Sequence, residues 1–189
     1  MAQRQLYDKP GIAHTDVMWT MKRLGWVSAM LAAGVLQAAE GPARCAGDGY
    51  AALNFWVGDW TVSDAGGNPI GASKIELGLD GCELTEAWSS GAKFSGRNVH
   101  AYSDEDKRWH QINVDNHGHV HAFVGVASAR GVEYSGLSKN ATGADVLNRM
   151  DIVKEGAGRV KVLWRKSADS GKTWTTAYDA IYSRTKNVK

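Results

Sequence analysis

The segment 108–127, RWHQINVDNHGHVHAFVGVA, alternates in side-chain character at period two on both sides of a short polar break. Successive strand residues point to opposite faces, so such alternation reads as β-structure. A three-residue loop, Asn116-His117-Gly118, with Gly118 in the left-handed position, turns the two arms into an antiparallel hairpin. Asp115 then faces His119, Asn113 faces His121, Gln111 faces Phe123 and Trp109 faces Gly125. One face of this hairpin carries Trp109, Gln111, Asn113, Asp115, His119 and His121; the other carries Ile112, Val114, Val120, Ala122, Val124 and Val126. Two arrangements satisfy this pattern. Either the apolar face is the core and the polar face meets water, or the polar face lines a pocket inside a barrel.

The same alternation runs outward in both directions. Runs of β-branched and aromatic residues recur from about residue 54, broken every eight to twelve residues by Gly, Asp, Asn or Ser, as in sandwiches and barrels. The expected strands are Phe55–Ser63, Gly71–Leu79, Cys82–Ser89, Gly96–Tyr102, Arg108–Asp115, His119–Ala127, Gly131–Ser138, Val146–Lys154, Arg159–Ser167 and Trp174–Ser183. Short connections force sequence neighbours to pair antiparallel. The expected fold is therefore all-β: a single antiparallel up-and-down barrel of about ten strands over residues 54–185. Residues 40–53 form an N-terminal strap or short helix. None of the three prolines, Pro10, Pro42 and Pro69, falls inside an expected strand.

Upstream, Met21-Lys22-Arg23 precedes an apolar stretch from Leu24 to Leu36 and small residues at Ala38-Ala39, the layout of a secretory signal over residues 21–39. The stretch is shorter than the roughly 20 residues a membrane span needs and has no basic stop-transfer flank, so no stable membrane anchor is expected after cleavage. Residues 1–20 lack periodicity and read as a disordered upstream extension. The whole chain carries 22 Lys+Arg and 20 Asp+Glu; residues 1–39 hold four and two of these, leaving 18 against 18. That balance, without a basic run, argues against nucleic acid as a partner. Cys45 and Cys82, in an exported chain, are expected to pair, closing a loop of about 38 residues that stabilises by roughly 4 kcal/mol on loop-entropy grounds; two buried free thiols are the alternative.

The run Phe55-Trp56-Val57-Gly58-Asp59-Trp60 resembles the Gly-x-Trp opening strand of lipocalin-like (calycin) barrels. In those barrels a Trp at the closed end packs on a basic residue of the last strand, and Arg184 is the matching candidate. With Leu79-Asp80-Gly81-Cys82, Glu86-Ala87-Trp88, Tyr102-Ser103-Asp104, Arg108-Trp109 and Gly171-Lys172-Thr173-Trp174, residues 53–184 resemble secreted bacterial lipocalin-like proteins of uncharacterised function. Haem-binding relatives in this barrel class take their proximal His from a late strand. No His follows His121 here, so haem is disfavoured and no cofactor is expected. Ser167-Ala168-Asp169-Ser170-Gly171-Lys172-Thr173-Trp174 matches the Asp-box, whose Ser and Asp bond turn amides; one copy argues for a hairpin, not for glycosidase chemistry.

The candidate ligand-binding residues are Trp88, Arg97, Trp109, Gln111, Asn113, Asp115, His119 and His121. Arg97 is included as a clamp for an anionic group. His119 and His121 with Asp115 fall one ligand short of a closed zinc site, so no metal is expected. Trp56, Trp60, Trp88, Trp164 and Trp174 are weighed as core rather than ligand stackers. The chain lacks Gly-x-Ser-x-Gly, His-Glu-x-x-His and a P-loop, and no catalytic residue is assigned. The reading that follows is a periplasmic or secreted protein holding a small, partly apolar molecule in its barrel. The alternatives are a barrel enzyme using Asp115, His119 and His121 as acid/base groups, and a structural or interaction module with a filled core.

Overall fold

The computed structural model describes residues 44–91 and 93–185; the signal-like segment, the upstream extension and the start of the strap lie outside them. A short helix, α1 (Asp48–Ala51), and a 3-10 turn (Asn54–Trp56) precede ten strands. These are β1 (Gly58–Asp64), β2 (Pro69–Gly78), β3 (Glu83–Ser89), β4 (Ser95–Ser103), β5 (Arg108–Asp115), β6 (Val120–Ser128), β7 (Gly131–Lys139), β8 (Asp145–Gly156), β9 (Arg159–Ser167) and β10 (Thr175–Arg184). Every strand pairs antiparallel with its sequence neighbour, and β1 pairs with β10 to close the barrel. Closure leaves no exposed strand edge.

Most expected boundaries shift by a residue or two, and two shifts have a clear cause. Phe55 and Trp56 lie in the 3-10 turn rather than the first strand, because Trp56 folds under the barrel and is buried against His100 and Tyr182. Pro69 heads β2 opposite Ser63, at a register shift, where its missing N–H costs no ladder bond.

The strap plugs one end. Leu53, Trp56 and Trp60 are buried together with Val62, Ile75, Leu84 and Ile152. The Arg184 guanidinium lies 4.6 Å from the centre of the Trp60 ring and donates to the Val57 carbonyl at 3.0 Å, so the last strand is tied to the first by charge and by hydrogen bond. The Trp60 indole N–H donates to the Trp56 carbonyl and the Trp109 indole N–H to the Gly49 carbonyl. Cys45 and Cys82 form a disulfide that fastens the strap to the β2–β3 connection.

The β9–β10 connection is built as its sequence indicates. Ser167 Oγ accepts from the Gly171 amide at 2.8 Å, Asp169 accepts from the Thr173 amide and hydroxyl, and the Trp174 N–H donates to the Gly171 carbonyl. The Thr173 hydroxyl and amide, with the Ser167 hydroxyl, outweigh desolvation and hold the Asp169 carboxyl at about 2.

The interior is polar on one side. On β4 and β5 the inward positions are Asn98, His100, Trp109 and Gln111, all buried. The intervening outward positions are Val99, Ile112 and Val114. The hairpin face that looked water-facing or pocket-lining from its residues is the inner one.

Candidate functional site

The register sets a polar row across neighbouring strands. Glu86 of β3 pairs with Asn98 of β4, Asn98 with Asn113 of β5, and Asn113 with His121 of β6. All four side chains line one cavity of about 260 Å³. Its floor is Trp56, Ile152, Val162 and Tyr182, all buried. Towards the mouth the walls become partly exposed, through Trp88, Phe94, Asp115, Trp164 and Tyr178.

Hydrogen bonds lock the row. The Glu86 carboxyl accepts from Ser73 Oγ at 2.6 Å, Asn98 Nδ2 at 2.7 Å and the Tyr182 hydroxyl at 3.0 Å. Asn98 Oδ1 accepts from Gln111 Nε2 at 2.9 Å and Asn113 Nδ2 at 2.7 Å. Tyr178 and Tyr182 hydroxyls lie 3.3 Å apart. Burial pushes the Glu86 carboxyl up, and its three donors only partly offset this. Burial and the nearby Glu86 raise the Tyr182 phenol well above its ordinary range. His100, beneath the row, bonds the Tyr134 hydroxyl at 3.0 Å through Nδ1 and is held at about 3 by burial, hence neutral.

Three buried polar atoms of cavity-lining residues make no hydrogen bond within the protein: Trp56 Nε1, Gln111 Oε1 and His121 Nδ1. Two of their residues are almost wholly buried, Trp56 at 1% and Gln111 at 4% exposure. A buried polar atom without a partner costs about 1–3 kcal/mol. Such atoms concentrated on one apolar-walled space mark where a partner fits.

Five of the eight residues expected to bind ligand, Trp88, Gln111, Asn113, Asp115 and His121, line this cavity. Three do not. Arg97 alternates with inward Gly96 and Asn98, so it points outward beside Val114, away from the interior. Trp109 is buried nearer the closed end, under Gly49. The His119 side chain is 63% exposed and pairs with Asp115 at 2.9 Å.

Asp115 is occupied by the turn. Burial raises its carboxyl, but the His119 amide and imidazole and the His117 amide outweigh this and hold it at about 2. Burial, then the charges of Lys166 and His119, lower His121. Of the three, Asp115 and His121 line the cavity, whereas His119 pairs with Asp115 from the solvent side. Rings of His117, His119 and His121 stand 6.3 and 6.4 Å apart in succession. Among the described residues no group of three His, Cys, Asp or Glu side chains is placed to hold a metal ion.

Residue-level reading missed Glu86, Asn98, Phe94, Tyr178 and Tyr182. Extending the β5 inner face across the register to β4 and β3 finds the first two, since Asn98 opposes Asn113 and Glu86 opposes Asn98. Tyr182 reaches Glu86 only because β10 closes on β1, a contact spanning 96 residues with no local signal. Of the tryptophans weighed as core, Trp56 and Trp60 are core, Trp56 also flooring the cavity, and Trp174 packs under the Asp-box turn with Arg149 over its ring, whereas Trp88 and Trp164 are partly exposed cavity wall. No protein-family model matches the chain, and no curated protein matches it.

Proposed function

We propose that the chain is an exported small-molecule-binding protein whose barrel holds a partly apolar ligand. The observation that carries this reading is the set of unpaired polar atoms on Trp56, Gln111 and His121, residues that line an aromatic-walled space. At about 260 Å³ that space exceeds the roughly 150 Å³ that accepts benzene, so a compact ring-bearing molecule fits. The Trp56 indole N–H calls for an acceptor on the ligand, and Gln111 Oε1 calls for a donor. Trp88, Phe123, Trp164 and Tyr178 offer ring faces and edges to its body. The hydrogen-bonded row from Glu86 to Asn113 holds Gln111 in place before any ligand arrives, which lowers the entropy lost on binding.

The stacking of Arg184 on Trp60 supports placing the chain among lipocalin-like barrels. Export to the periplasm or beyond is supported by the signal-like stretch 21–39 and by the Cys45–Cys82 disulfide, which persists in oxidising compartments. No helix among the described residues is long and apolar enough to cross a membrane. Balanced charge after residue 39 favours a small molecule over nucleic acid as the partner.

Native mass spectrometry of freshly purified protein tests the reading. The expected result is an added mass that organic extraction removes and that Gln111→Leu weakens. A wild-type protein that carries no added mass and shows no change in tryptophan emission with any member of a broad panel of small ring compounds overturns it.

A further inference from the structure

We infer that the outer face of β4–β7 is a self-association surface, and that two copies of this chain pack there face to face across a two-fold axis. This inference is independent of what the cavity holds. Among the described residues, seven of the nine exposed large apolar side chains lie on these four strands. Ile112, Val120, Val126 and Leu137 are each more than half exposed, and Val114 and Val124 stand beside them. The register makes them contiguous. Val99 pairs with Ile112 and Ile112 with Ala122; Val114 pairs with Val120. The strip spans four strands and the length from Val120 to Val126, about 14 by 20 Å from strand spacing and rise. It exposes on the order of 600 Å² of apolar surface, at the upper limit for an ordinary monomer and near the ~800 Å² per partner that a standard interface buries.

The rest of the outer wall is different in kind. β8–β10 carry the ion pairs Arg165–Asp151 and Lys161–Asp179, and β2 carries Lys74–Glu76. Apolar exposure is thus concentrated on one side of the barrel, with Leu77 and Leu79, at and just past the end of β2, the exceptions.

Several features select a second copy as the occupant. The barrel has no free edge, so association must use a face. This face is a sheet of mainly short β-branched side chains without a groove, which suits packing against another such sheet at about 10 Å separation. Its borders carry both signs. Exposed Arg97 lies beyond Val114 at one corner, and exposed Glu133 lies beyond Val126 at the opposite corner. A two-fold axis lying in the interface, perpendicular to that diagonal, sets Arg97 of each copy against Glu133 of the other. No Trp or Tyr stands among the exposed apolar residues of the strip, whereas a membrane-inserting face would carry an aromatic belt.

Sedimentation velocity on the purified protein, from about 1 to 100 micromolar, reads the association directly. Wild type is expected to sediment as a dimer at the upper concentrations. Val120→Lys/Val124→Lys places like charges in the centre of the face and weakens association by at least about 100-fold. Both side chains are solvent-exposed in the barrel, so the far-UV spectrum, and the urea midpoint at the lowest concentration where wild type is monomeric, stay unchanged. A second variant, Lys74→Ala/Lys161→Ala on the opposite wall, leaves the dimer intact. A wild-type monomer at the highest concentration overturns the inference, as does a dimer that Val120→Lys/Val124→Lys fails to disrupt. Monomer in solution with flotation on phosphatidylcholine vesicles overturns it in favour of a lipid surface.

Discussion

Replacing Glu86 tests whether the polar row is a network around a carboxyl that burial disfavours. Two opposed effects act on this group: removal from water, which favours the neutral form, and three hydrogen-bond donors, which favour the charged one. Burial is the larger, so the folded-state value lies above the unfolded one of about 4.3. Between those two values the folded state binds the extra proton, and stability falls as pH rises, by at most about 1.4 kcal/mol per pH unit. Below about pH 4 both states are protonated and this effect vanishes. Gln fits the site without a charge. Its carbonyl faces Asn98 Nδ2, and its amide nitrogen faces the Ser73 and Tyr182 hydroxyls, which rotate to accept. Glu86→Gln is therefore expected to match wild type at pH 4 and to be more stable at pH 7, the gap opening as pH rises. Glu86→Leu leaves Asn98 Nδ2 buried without an acceptor and takes one from Ser73 and Tyr182, a loss of about 2–4 kcal/mol at pH 4 that narrows as pH rises and wild type itself loses stability. Urea unfolding followed by tryptophan emission from pH 4 to 8 reads all three proteins. If Glu86→Gln is the less stable at pH 7 and the deficit grows with pH, the three donors outweigh burial and the reasoning is wrong.

Two further outcomes check the frame that holds the site. Cys45→Ser/Cys82→Ser opens a loop whose ends lie 37 residues apart, so the unfolding free energy should fall by up to about 4 kcal/mol, and α1 should lose amide-exchange protection before the strands do. An unchanged urea midpoint would show that packing of Trp56 and Leu53 alone anchors the strap. Gly125 sits on the inner face opposite Trp109 and Tyr134, where an added Cβ would lie 2.6 Å from Tyr134 Cδ1 and 2.7 Å from Val132 Cγ1. Gly125→Val should therefore cost about 3 kcal/mol through overpacking, and a urea midpoint within error of wild type would contradict the register of β5, β6 and β7.

How far the residues themselves disclose this molecule follows from the range over which each feature is encoded. The β5–β6 hairpin is local: the Gly118 turn fixes the register, and Asn113 opposes His121 and Gln111 opposes Phe123 as alternation requires. The Asp-box turn and the Arg184–Trp60 stack are legible for the same reason, each resting on a short motif. Which face of the hairpin turns inward is not local. Judged alone, Val114, Val120 and Val124 look like core and Asn113 and His121 like surface. The choice is made by partners far along the chain, Glu86 for Asn98 and Tyr182 for Glu86, which exist only once the barrel closes. Arg97 illustrates the same parity from the other side: one residue from Asn98, it is carried outward whatever its chemistry.

Period-two geometry then couples the two functional surfaces. A strand that spends its inward positions on Asn98, Gln111, Asn113 and His121 has only its outward positions left for β-branched residues, which strands favour for their fit to a pleated surface. The polar lining and the apolar outer strip are therefore two consequences of one alternation. Moving the register of β5 against β4 by a single residue would bury Ile112 and Val114, fill the cavity and erase the strip together. A cavity without the strip, or a strip without the cavity, would require different residues at alternate positions. Cavity and apolar strip thus sit back to back on β4–β6, separated by the thickness of one sheet. A dimer that clamps Ile112 and Val120 also fixes the backbone from which Gln111, Asn113 and His121 project into the cavity.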